Sequence, residues 1–195
     1  MSVYERELSE IRSALSQFAK VSRNFEEEIE QAQRNYNPDA FREFSKAKTE
    51  EFQKAKSQYS QRVSELCDKL TNKIRKYWQP DTRLYKKDAV EMLESPYFSF
   101  TLRDLNQMAT EQYADNPTML QVLHAYAKKN QLFSDAEGAA SPLLYADEKV
   151  KIQNAEEIKK ALISAIGFSD QAAVRTMADK FDTIFNAGLT AIGEL

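Results

Sequence analysis

One cysteine, one histidine, one tryptophan and four glycines are all that this 195-residue chain contains of those types. A single thiol, Cys67, excludes an internal disulfide framework and fits a reducing compartment. A single imidazole, His124, excludes a His-rich metal site and a His pair for relaying protons. No Gly-rich phosphate loop, GxSxG elbow, HExxH or CxxC is present. No stretch approaches the ~20 apolar residues of a membrane span. The opening Met1-Ser2-Val3-Tyr4-Glu5-Arg6 lacks a signal-peptide pattern, so a cytoplasmic protein is expected. No catalytic, cofactor-binding or metal-ligating residue is identified, and enzyme activity is not expected.

Scarcity of glycine and proline has a positive side, because long stretches free of both favour helix over sheet. Two apolar ladders occupy the first 78 residues, joined by Asn37-Pro38-Asp39. The first is Tyr4, Leu8, Ile11, Leu15, Phe18, Ser22, Phe25, Ile29, Ala32, Tyr36. The second is Phe41, Phe44, Lys48, Phe52, Ala55, Tyr59, Val63, Leu66, Leu70, Ile74, Tyr77. Spacings of three and four put each set on one stripe only in an α-helix. Residues 1–79 therefore read as a long, coiled-coil-like antiparallel helical hairpin, with Lys48 interrupting its second stripe.

The ladders differ in period. A seven-residue repeat slips by about −20° per heptad on a straight helix, and an eleven-residue repeat advances by about +20°. The first stripe then turns by roughly 90° along its helix and the second by roughly 60° the other way. Unless one helix bends, a lone pair cannot close over both stripes. Part of the surface, with Phe18, Phe25, Phe52 and Tyr59 on it, is expected to meet the rest of the chain, a second copy or another protein.

Charge is unevenly spread behind a net of −3. Residues 1–38 carry −2, residues 39–87 carry +6 and residues 88–195 carry −7. Lys69, Lys73, Arg75, Lys76, Arg83, Lys86 and Lys87 interleave with Tyr77, Trp78 and Tyr85, opposed only by Asp81. Cations with aromatics suit phosphates and bases, or an acidic protein surface. The acidic remainder would repel a polyanion, which favours the protein surface.

Asn37-Pro38 and Asn116-Pro117 each place a cap before a proline at the first helical position, and Pro80 ends the second long helix. Thr101 with Asp104, and Asn154 with Glu157, resemble capping boxes. Helices are expected near 2–35, 38–78, 87–94, 102–114, 117–129, 155–166 and 170–187. Leu84-Tyr85 and Tyr97-Phe98-Ser99-Phe100 read as connections with apolar anchors. Residues 135–142 read as a linker, and Lys149–Gln153 as a short strand or extended connector. The last helix carries Val174, Met177, Ala178, Phe181, Ile184, Phe185 and Leu189 on a face that needs covering, by helix 155–166 or by a partner. The organisation expected is a hairpin at 1–79, a short-helix region at 80–134 and a C-terminal helical region at 135–195.

Reactive chemistry finds no partners in this pattern. Cys67 has only nearby Lys69 to lower its pKa. Glu26-Glu27-Glu28 and Glu156-Glu157 sit at consecutive positions, which splay around a helix rather than pair.

The segment Asp115-Asn116-Pro117-Thr118-Met119-Leu120-Gln121-Val122-Leu123-His124-Ala125-Tyr126-Ala127-Lys128-Lys129-Asn130, behind a Gln/Lys/Glu-rich hairpin, resembles small helical proteins of tailed-phage and prophage structural gene clusters. That resemblance implies a virion-assembly role, in the host cytoplasm or the virion, and brings no active site. Scaffolding proteins commonly end in a basic tail, whereas this sequence closes on Ala187-Gly188-Leu189-Thr190-Ala191-Ile192-Gly193-Glu194-Leu195, which leaves another assembly role open. The reading is an all-α protein, a long hairpin followed by a compact helical part. It is expected to be a non-enzymatic interaction or assembly protein that forms homo-oligomers and takes protein partners, without membrane insertion. The alternative is a nucleic-acid-associated regulatory protein using residues 69–87.

Overall fold

Proline placement explains most element boundaries before packing is considered. All five prolines stand at or beside the end of a helix, where a missing N–H breaks no internal hydrogen bond. The structure, a computed structural model, describes residues 3–134 and 141–167. Its elements are α1 (Glu5–Asn35), α2 (Pro38–Trp78), α3 (Lys87–Glu94), α4 (Leu102–Gln107) running into a π-helical turn (Met108–Gln112), α5 (Pro117–Lys129), a 3-10 turn (Pro142–Tyr145) and α6 (Glu148–Gly167). Every regular element among the described residues is helical, so the all-α expectation holds. The expected helix 170–187 with its apolar face, and most of the linker, lie outside the described residues.

Two compact units divide the chain, and the division falls within α2 and within α6. One unit comprises Val3–Leu70 together with 155–167. In it the chain reverses at Asn37, whose side chain accepts from the Ala40 N–H at 2.9 Å. From that turn α1 and α2 pack antiparallel. Phe25 stacks on Phe52 at 4.4 Å between ring centroids, Phe18 lies 5.5 Å from Tyr59, and Gln17 Oε1 accepts from Arg62. Partner numbers fall on one helix as they rise on the other, as a hairpin requires.

α6 covers part of the second ladder inside this unit. Lys159 binds Asp68 at 2.6 Å, and Lys56 Nζ donates to the Gly167 carbonyl at 2.9 Å, so α6 lies antiparallel along α2. Where α6 runs, Val63, Leu66, Cys67 and Leu70 are buried, as are its own Leu162 and Ile166. Nearer the reversal, Phe25, Phe41, Phe44 and Phe52 are only half-buried. The rest of the chain supplies part of the cover the ladders needed. Lys48, the gap in the second ladder, pairs with Glu28 of α1 at 2.9 Å and with Glu51 at 3.0 Å.

The second unit, Thr71–Asn154, is built around α5. Asn116 caps that helix by accepting from the Met119 N–H, while its Nδ2 donates to the Leu84 carbonyl at 2.8 Å. Gln121 Nε2 donates to the Trp78 carbonyl at 2.6 Å, and the Asp81 N–H donates to Thr118 Oγ1. Residues 78–84 are thereby laid across the start of α5. Leu93, Leu102, Leu105, Met119, Leu120, Leu123 and Leu143 form the buried centre. α5 stops with Gln131 at φ 57°, in the left-handed region, and the Leu132 N–H reaches back to the Ala127 carbonyl at 2.9 Å.

Two boundary expectations need correction. Residues 149–153 are neither strand nor extended, because α6 already begins at Glu148: Asp147 Oδ1 accepts from the Lys149 N–H at 2.8 Å and caps it. Five residues of alternation are too short to separate a period of 2 from one of 3.6, and the buried set Lys151, Ala155, Leu162, Ile166 follows the helical one. Asn154 is consequently interior and caps nothing. The Thr101–Asp104 capping box is present, with Asp104 Oδ2 accepting from the Thr101 N–H at 2.8 Å. Those bonds from Thr101 hold the Asp104 carboxyl below the usual range. The helix behind this box ends at 112 rather than 114, in the π-helical turn.

Leu66 is the sharpest probe of the seam, being only 8% exposed. Leu66→Asp buries an uncompensated carboxylate and is expected to cost on the order of 3 kcal/mol or more. The same change at exposed Gln61, one and a half turns earlier, is expected to stay within about 0.5 kcal/mol. Urea midpoints of both variants against the wild type check the register, and equal midpoints for Leu66→Asp and wild type would refute it.

Candidate interaction surface

The aromatic residues expected to face outward on the hairpin are mostly engaged within it. Phe18 is 3% exposed, lying against both Phe52 and Tyr59, so it is not an uncovered contact residue. Phe25, Phe52 and Tyr59 are half-buried. Interleaving of rings from the two helices, which a stripe drawn on one helix does not reveal, is the reason.

Within the basic segment, Lys69, Arg75, Lys76, Lys86 and Lys87 are exposed and Lys73 is intermediate. Arg83 and Lys87 are answered locally. Arg83 forms a forked pair with Asp81, its Nη2 at 2.7 Å from Oδ2, and Lys87 pairs with Glu91 at 3.1 Å. Trp78 is 3% exposed and unavailable for stacking on a base; its ring lies 4.9 Å from Lys151 Nζ. Tyr77 is half-buried, with burial and the charge of Asp115 raising its hydroxyl pKa. Only Tyr85 of the three interleaved aromatics is exposed, so the pattern of alternating cations and rings seen along the sequence does not form one surface.

A different set of residues faces solvent. Leu84, Tyr85, Met92, Tyr97 and Phe98 are 37, 44, 37, 91 and 56% exposed, all within fifteen residues of chain around α3. Of the apolar anchors expected in Leu84-Tyr85 and Tyr97-Phe98-Ser99-Phe100, Phe100 packs on the fold, whereas Leu84, Tyr85, Tyr97 and Phe98 are exposed. Val90 and Leu93 of α3 point inward, and Phe100 contacts Tyr126 edge-on at 6.1 Å. Leu84 is held beside Asn116 at the start of α5, and Phe98 adjoins Phe100 near its end. The two exposed apolar pairs therefore bracket α3, a helix about 12 Å long. Exposed apolar residues grouped in this way mark contact surfaces more often than isolated ones do. Pro96 standing directly before Tyr97-Phe98 was the available signal for one of the two pairs.

Cys67, His124 and Lys151 are buried. Cys67 is 1% exposed, and burial pushes its thiol up to about 11, with the nearby Asp68 charge adding and Lys159 opposing. His124 Nδ1 donates to the Leu143 carbonyl at 2.8 Å, and its Nε2 lies 3.7 Å from Asp147 Oδ2. Lys151 is 1% exposed, and burial brings its ammonium down to about 8. Among the described residues no group of three or more His, Cys, Asp or Glu is placed to hold a metal, and no helix is long and apolar enough to cross a membrane. Compared with protein-family models, curated proteins and solved structures, the chain matches none.

Lys151 gives a pH signature whose sign follows from linkage. Its folded pKa of about 8 lies below the ordinary value of 10.5, so between those values the unfolded chain binds more protons and stability rises with pH. Cys67 acts oppositely, since its raised pKa makes the folded state hold its proton longer as pH climbs past 9.0. Comparison of Lys151→Met with wild type isolates the lysine. The difference in stability between the two proteins is expected to change with pH from about 8 to about 10.5, wild type gaining on the variant. Parallel urea-midpoint curves over that range would show that Lys151 does not titrate as a buried lysine.

Proposed function

We propose that this chain is a non-enzymatic helical assembly protein that self-associates. The observation supporting this most directly is the exposure of the apolar residues Leu84, Tyr85, Met92, Tyr97 and Phe98, all within one short stretch of chain around α3. Aromatic residues in this number contribute strongly to protein contacts, because each buries a large area with few rotors to immobilise. Cys67, His124 and Lys151 are all enclosed, which favours an interaction role over a catalytic one. The resemblance of residues 115–130 to phage and prophage structural proteins directs the proposal toward virion assembly.

A second reading, nucleic-acid association, draws on exposed Arg75, Lys76 and Lys86 with Tyr85. It ranks lower because Arg83 and Lys87 already meet carboxylates, Trp78 is enclosed, and residues 88–195 carry −7.

Sedimentation equilibrium is expected to give a mass above the 22.4 kDa monomer at micromolar concentration. A monomer over the whole accessible range counts against the proposal. Fluorescence anisotropy with generic duplex and single-stranded oligonucleotides, at about 50 and about 200 mM salt, separates the two readings. Weak binding that vanishes at the higher salt is expected. Submicromolar binding there, lost on charge reversal of Arg75 and Lys76, would promote the second reading.

A further inference from the structure

We infer that the surface through which two copies meet is the α3 face, paired antiparallel about a two-fold axis. The inference rests on the self-association proposed above and adds where and in what register it occurs. Residues 83–98 carry three cations, Arg83, Lys86 and Lys87, and three anions, Asp88, Glu91 and Glu94, for a net charge of zero. Their order is polar: cations come first and anions last, with the apolar pair Tyr97-Phe98 beyond the anions and Leu84-Tyr85 between Arg83 and the two lysines. A strip of this kind is complementary to itself only when reversed. In an isologous pair, each residue's contact is repeated by symmetry. Lys86 and Lys87 of one copy then face Glu91 and Glu94 of the other, twice over, and Leu84-Tyr85 faces Tyr97-Phe98, also twice.

The helix's own electrostatics argue the same way. Asp88 apart, the charges on α3 run against its dipole, with lysines at the positive N-terminal end and Glu94 at the negative C-terminal end. Neither arrangement helps the isolated helix. Both are relieved by an antiparallel neighbour, which brings carboxylates to the N-terminus and ammonium groups to the C-terminus. The Lys87–Glu91 pair within one helix is exposed on both sides, at 79 and 62%, so it can exchange partners at little cost. An arbitrary acidic or basic partner would match one half of the strip and be repelled by the other. A second copy matches both.

Two charge-reversed proteins test this. Lys86→Glu with Lys87→Glu makes the strip wholly acidic apart from Arg83, and Glu91→Lys with Glu94→Lys makes it basic apart from Asp88. Each alone is expected to associate at least about tenfold more weakly than wild type, and an equimolar mixture is expected to regain association as a heterodimer. Tyr97→Ser with Phe98→Ser, at exposed positions where folding is not at stake, is expected to weaken the wild type similarly. Circular dichroism confirms that each variant is helical. Read by sedimentation velocity, restoration in the mixture supports the antiparallel register. Wild-type association with both reversed proteins and the serine variant associating unchanged would overturn the α3 interface while leaving self-association standing. Weakened reversed proteins without restoration on mixing would overturn the antiparallel register. A monomeric wild type would overturn self-association itself, and this inference with it.

Discussion

Two helices joined in a hairpin can close only one shared seam, and here the two apolar ladders differ in period along the sequence. The first unit depends on how that mismatch is met. α6 is brought antiparallel along α2, and the residues of α2 beside it are the ones driven to full burial. Hydrophobic cover supplies most of the gain, at roughly 1.5–3 kcal/mol for each large side chain fully buried. The exposed side of the Lys159–Asp68 pair limits what that ion pair adds, so it serves more to set register than to stabilise. Lys56 is placed differently: its nearly enclosed ammonium meets a C-terminal carbonyl of α6, where the helix dipole is negative.

The second unit depends on polar stitching at the start of α5. A single asparagine does two tasks there, capping the helix with its oxygen and holding the Leu84 carbonyl with its nitrogen. Together with Thr118 and Gln121, it fixes an irregular stretch whose backbone groups would otherwise lack partners. Positioning of α3 follows from that stitching, as does the outward display of Leu84 and Tyr85. The exposed strip is thus a product of the fold's most local chemistry, carried on a short helix with only Val90 and Leu93 fully buried.

Legibility in the sequence tracked how local each determinant was. Both long helices, α3 and α5 could be bounded from caps, prolines and period, because those signals act within one or two turns. The start of α6 was missed because Asp147 precedes too few residues for the helical period to declare itself, and because Lys151 belongs to the buried stripe. Nothing in a one-dimensional pattern distinguishes a lysine lying over a tryptophan from one in water. The candidate site was less legible still. Trp78 and Phe18 looked available because their covering rings and chains come from distant positions. Tyr97 and Phe98 looked like anchors because aromatic residues usually are.

The contact between Lys56 and the Gly167 carbonyl spans 111 residues of chain, and that separation sets an order of events during synthesis. The hairpin is local in sequence and can form as soon as α2 has left the ribosome. Its cover by α6 must wait for about a hundred further residues, on the order of ten seconds at ordinary elongation rates. Throughout that interval Val63, Leu66 and Leu70 lack their α6 neighbour beside newly made chain. Nascent hairpins on adjacent ribosomes of one message would present the same bare stripe to one another, so the late closing helix also governs how safely this protein is made.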